Sequence, residues 1–164
     1  PIRTHFRKEF DKIAPAKEET KTEEKPVDTA VHLVFDQPLD DSIRLLPGIT
    51  AAQIAAFEKL SIRTKSDMLL NGIDVDSRRE LQNKTKATSD QLLWWLNLSD
   101  LTRVPGLDLD SAILLEGIGK VDTVKELRTR NAGKLFTMLD KRVPKEILSK
   151  WISSAKELIS TLEY

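Results

Sequence analysis

LLPGITAAQIAAFEKLSIRTKSDML, residues 45–69, decides the fold, because the chain states it twice. It lies over RVPGLDLDSAILLEGIGKVDTVKELR, residues 103–128, with one single-residue gap. Pro47 matches Pro105, Gly48 matches Gly106 and Glu58 matches Glu116. Past the gap, Ile62 matches Val121, Thr64 matches Thr123 and Met68 matches Leu127. Farther on, SDQLLWWL (89–96) lies over KEILSKWI (145–152), which pairs Trp95 with Trp151. The prolines are 58 positions apart and the tryptophans 56, so each repeat is close to 57 residues. A fixed period of this length marks tandem supersecondary units that stack on one another.

Helix signals recur within each repeat. Thr50-Ala-Ala-Gln53, Thr64-Lys-Ser-Asp67, Thr88-Ser-Asp-Gln91 and Thr123-Val-Lys-Glu126 all have the capping-box form, and Asp108 suits the N-cap of the helix matching the first. Pro144 suits the first position of the helix matching 89–101. The expectation is four short helices per repeat: 51–60, 65–71, 77–85 and 89–101, then 109–118, 124–130, 132–140 and 144–160. No convincing strand pattern appears in this part. The fold class is all-α: two tandem repeats, 41–102 and 103–164, behind an N-terminal arm, 1–40.

The arm differs in composition. PAKEETKTEEKPVD (15–28) is charged, poor in apolar residues and bracketed by proline, which reads as a linker. Before it, Ile2, Phe6, Phe10 and Ile13 fall at helical spacing beside Arg3, Arg7, Lys8 and Lys12. After it, AVHLVF (30–35) is a short apolar run. Either patch can fold back on the protein's own core or dock on a partner. A membrane surface is a further reading for the basic stripe, although one short stripe binds weakly. A linker of this length reaches farther than a return to a small domain requires. The first group is therefore expected to contact another chain, and Val31, Leu33 and Phe35 to pack on the protein's own helices.

The 164 residues carry 26 Lys plus Arg and 26 Asp plus Glu, so the basic surplus usual in nucleic-acid binders is missing. With no cysteine, disulfides, thiolate metal sites and cysteine nucleophiles are excluded. No apolar run resembles a signal peptide or is long enough to span a membrane, and a cytoplasmic location is expected.

A helix, a Pro-Gly-apolar turn and a second helix rich in small residues resemble the helix-hairpin-helix pattern. The wider arrangement, LPGI, then WWLNLSDLTRVPGL, then VDTVKEL, resembles a bacterial family common in cyanobacteria and designated domain of unknown function 4332. The resemblance covers about residues 42–158. It implies repeated hairpins and carries no established activity. DNA-binding hairpins of this kind are typically Gly-apolar-Gly, so that backbone N–H groups and the following helix N-terminus face a phosphate. Here Thr50 and Asp108 stand at the second glycine. Asp108 can occupy the helix N-terminus itself. It also repels a phosphate by roughly 1 kcal/mol even in high dielectric. Asp110 adds to that, and no Lys or Arg lies between Gly48 and Glu58.

No nucleophile elbow, Walker or dinucleotide fingerprint is present. Gly117-Ile-Gly-Lys120 follows no strand and reads as a helix end with Gly117 or Gly119 in the left-handed cap. His5 and His32 are not spaced as a metal pair. Neither catalysis, a metal, a cofactor nor a small-molecule substrate is expected. Trp94 matches Lys150 in the alignment, which leaves two readings: packing between repeats, or an anchor for a partner. The leading expectation is a non-enzymatic interaction module or assembly subunit. It docks on protein through Ile2, Phe6, Phe10, Ile13 and Trp94, with the arm as tether. The rival is weak, sequence-independent DNA or RNA binding through Gly48, Thr50 and Gly106 together with Lys134, Lys141, Arg142 and Lys145.

Overall fold

The computed structural model describes residues 42–162. The arm, with Ile2, Phe6, Phe10, Ile13, both histidines and the 30–35 run, lies outside the described residues. A 3-10 turn, Ile43–Leu45, leads into eight helices: α1 (Ala51–Lys59), α2 (Lys65–Asn71), α3 (Val75–Thr85), α4 (Ser89–Leu101), α5 (Leu109–Gly117), α6 (Val124–Leu127), α7 (Ala132–Met138) and α8 (Lys145–Glu157). Among the described residues there is no strand, only an isolated bridge between Ser42 and Thr64. No helix there is long and apolar enough to cross a membrane.

Helix starts follow the capping residues. Thr50, Thr64 and Thr88 each accept the backbone N–H three residues on, and the side chain at that position returns a bond to the cap. In the second repeat Thr123 accepts from Glu126 N–H, but the Glu126 carboxylate reaches one residue farther back, to the Asp122 N–H at 3.0 Å. The helix expected at 77–85 begins two residues earlier, because Asp74 accepts from Ser77 N–H at 2.7 Å. Pro144 is the N-cap rather than the first residue of α8. α6 stops at Leu127 and α8 at Glu157, both short of the spans the sequence suggests.

The duplication holds in three dimensions. The aligned pairs Phe57/Leu115, Ile62/Val121, Met68/Leu127 and Trp95/Trp151 are all buried. The alignment gap falls where α1 and α5 end. There Ser61 (φ 62°) and Lys120 (φ 51°), each immediately before its buried aliphatic residue, turn the chain in the left-handed region. Ile62 N–H then bonds Phe57 O, and Val121 N–H bonds Leu115 O, one residue farther back. The extra residue is absorbed inside that turn. Gly117 and Gly119 are not left-handed, contrary to the sequence expectation. Gly119 is required for space instead: a Cβ there would sit 2.7 Å from Leu115 O.

α4 joins the repeats. Eight of its 13 residues are buried, as expected of a helix apolar nearly all round. It packs against α2 and α3 on one side and α5 on the other, while α8 packs against α6 and α7 in the matching way. A single apolar cluster runs from Ile43 to Leu162, so the two repeats share one core.

Candidate functional site: the hairpins and the repeat junction

Each hairpin is a β-turn with proline second and glycine third. Ile49 N–H reaches Leu46 O at 3.4 Å across Pro47-Gly48, and Leu107 N–H reaches Val104 O at 3.0 Å across Pro105-Gly106. Gly48 has φ 70° and Gly106 φ 79°, the left-handed geometry that a type II turn needs at its third position. Both turns are exposed, and each lies under the tryptophan of its own repeat. The Trp95 indole N–H donates to Pro47 O at 2.9 Å, and a Cβ on Gly106 would lie 3.9 Å from Trp151 Nε1. Phe57 packs edge-on to Trp95, with ring centroids 6.2 Å apart.

Part of the donor set at each hairpin helix already has partners within the chain. Thr50 N–H donates to Gln53 Oε1 at 3.0 Å, and Gln53 N–H donates to Thr50 Oγ1 at 3.2 Å. Gln53 also reaches Gln91 of the α4 capping box at 3.5 Å, which ties the two caps together. In the second hairpin, Asp108 Oδ1 accepts Ser111 N–H at 2.9 Å. Asp108 and Asp110 are both exposed, so this tip is acidic. The cation nearest the first hairpin in sequence, Arg44, is paired with Glu58 at 2.5 Å.

Lys134, Lys141, Arg142 and Lys145 are all exposed. Lys145 lies over Gly133, the neighbour of Lys134, with its Nζ 3.9 Å from where a Cβ on Gly133 would be. Arg142 faces Asp140 at 3.8 Å. Trp94 is half-buried and packs against the shared core.

The repeat junction also holds a polar constellation that sequence spacing does not reveal. Asp100 and Arg103 are 1% and 2% exposed, and Asp100 Oδ1 meets the Arg103 guanidinium at 2.6 Å. Asp100 Oδ2 accepts Val124 N–H at 2.8 Å, so the end of α4 holds the start of α6. Burial pushes the Asp100 carboxyl above its ordinary value, and Arg103, the Val124 N–H and Arg128 oppose that rise. Arg103 also donates to Ile159 O at 2.9 Å and to the Thr161 hydroxyl, and Arg128 donates to Leu158 O at 2.9 Å. The sequence signal was an Asp and an Arg three residues apart at the end of an apolar helix. Their partners lie too far along the chain to be read from spacing.

Among the described residues, no group of three acidic or histidine side chains could hold a metal ion. Two shallow clefts are present: one of about 250 Å³ beside Arg130, Lys134 and Met138, the other of about 340 Å³ beside Val75, Arg79 and Leu93.

The fold and its two hairpins define a tandem-repeat, all-α protein with structurally equivalent Pro-Gly turns. Residues 47–158 match the family model described as Domain of unknown function (DUF4332), and the chain belongs to that family. No curated protein and no solved structure matches it.

Proposed function

We propose that the chain is a non-enzymatic interaction module that docks on a protein partner, with the N-terminal arm as its tether and the hairpins serving the fold. The observation that carries this reading is the capping of both hairpin helices. At α1 the Thr50 and Gln53 N–H groups are bonded to Gln53 Oε1 and Thr50 Oγ1, and at α5 the Ser111 N–H is bonded to the Asp108 carboxylate. A phosphate would have to displace those partners and approach two exposed aspartates at the second hairpin. Net charge of zero supports the same reading, because phosphate neutralisation supplies most nucleic-acid affinity.

The test is deletion of residues 1–14, which removes Ile2, Phe6, Phe10 and Ile13. Partners captured from the native source by the full chain are identified, and the deletion variant is then assayed against them. The expected result is loss of capture with an almost unchanged melting temperature. A lowered melting temperature with capture retained would make the arm part of the fold and sink the tether. The rival reading, nucleic-acid contact, draws support from the exposure of Lys134, Lys141, Arg142 and Lys145.

A further inference from the structure

After α8 the chain does not fold onto a helix or pair with a strand. Leu158 is extended (φ −82°, ψ 143°), and the next residues run past Arg128 and Arg103 of the second repeat. They are held by their backbone carbonyls. Arg128 donates to Leu158 O and Arg103 to Ile159 O, each at 2.9 Å. The Thr161 hydroxyl takes a further bond from Arg103, and Leu162 is buried in the shared core. Ile159 and Ser160 face solvent. We propose that residues 158–162 are a strap docked in cis on a peptide-reading groove, and that the groove takes an extended segment in which a hydroxyl residue precedes a leucine.

The physics is that of peptide recognition: main-chain hydrogen bonds supply affinity and side-chain pockets supply specificity. The Arg103 guanidinium is fixed from behind by buried Asp100, so its donors are presented in one orientation. The repeat pattern by itself does not call for arginine at these places. In the repeat alignment Arg103 corresponds to Leu45 and Arg128 to Leu69. The first repeat builds the same hairpin and helices with leucine at both places. The carbonyl-reading pair therefore belongs to the second repeat alone, and it is aimed at the strap. Because the reading groups sit outside the strap, at Arg103 and Arg128, an equivalent segment supplied in trans meets the same donors once the strap is released. This inference does not depend on the identity of any partner of the arm.

The experiment uses the full chain with Leu162→Asp, which removes the strap's apolar anchor and leaves the arginines in place. Hydrogen exchange is measured along the chain, and a fluorescent peptide of sequence Leu-Ile-Ser-Thr-Leu-Glu-Tyr is titrated against the variant and the unaltered chain. The strap amides are expected to exchange about tenfold faster or more, with α6 and α8 unchanged, as for an independently opening unit. The peptide is expected to bind the variant and not the unaltered chain, whose groove is filled. Binding is lost when Arg103→Met or Arg128→Met is added, or when the peptide carries valine for its threonine and aspartate for its second leucine. Loss of protection in α6 and α8 together with the strap would overturn the proposal, because the segment would then be part of the core. Failure of the peptide to bind the variant, or equal binding to both chains, would overturn it as well.

Discussion

Three glycines make separable demands. Gly48 and Gly106 are held at positive φ, and nothing lies within 4 Å of a Cβ at Gly48, so alanine there meets backbone strain alone. Gly48→Ala and Gly106→Ala are expected to cost about 1–2 kcal/mol each. Gly119→Ala pushes a methyl against the Leu115 carbonyl and is expected to cost more, roughly 3 kcal/mol. Urea denaturation of the three variants checks the order, and a Gly119→Ala as mild as the other two would refute the close-approach assignment. Arg103 supports a different test. Its charge opposes the upward shift of the buried Asp100 carboxyl, so Arg103→Met lets that shift grow. A carboxyl held above its unfolded value binds its proton more tightly in the folded chain, so folding gains stability as pH falls through the interval between the two values. The loss caused by Arg103→Met, roughly 3–5 kcal/mol at neutral pH for a broken buried pair, is therefore expected to shrink on acidification. Melting curves of both proteins at neutral and mildly acidic pH report it, and a gap independent of pH would mean that the two groups are not coupled.

The helices were legible where their instructions are local. Thr50, Thr64 and Thr88 name their own helix starts because cap and partner are three residues apart. The hairpin glycines were legible because a type II turn accepts few other residues. The repeat register came from Trp95 and Trp151, and both are buried against their hairpins. Trp151→Ala is accordingly expected to cost roughly 3–5 kcal/mol. Trp95→Ala should cost as much, plus about 1 kcal/mol for the bond to Pro47 O. Calorimetry of the two variants checks this, and a Trp151→Ala chain melting where the unaltered chain does would disprove the repeat equivalence. What stayed hidden is non-local. Asp100 finds Val124 24 residues on, and Arg103 finds Thr161 58 residues on, and no periodicity encodes either meeting. The end of α5 departs from its sequence pattern: Gly117 and Gly119 look like left-handed caps, but Lys120 takes that conformation and Gly119 serves close packing.

Taken whole, the molecule is a duplicated hairpin scaffold with one core, exposed turns and no net charge. The duplication keeps what the turn and the core need: the glycine, the tryptophan and the buried aliphatics. It does not keep a second glycine or a cation at either turn. That pattern fits the proposed reading, in which the hairpins set helix geometry. The candidate site was legible to the same extent. Thr50 and Asp108 pointed to occupied helix ends, whereas the grouping of Lys134 with Lys145 and the half-burial of Trp94 depend on packing. The most direct test of the central claim, that the hairpins serve the fold and not phosphate, is a titration of the full chain with duplex and single-stranded DNA at low and at physiological salt. The account predicts no measurable binding even at low salt. Binding that weakens steeply with salt, and is lost on substituting Gly48 and Gly106 in a chain that remains folded, would contradict it.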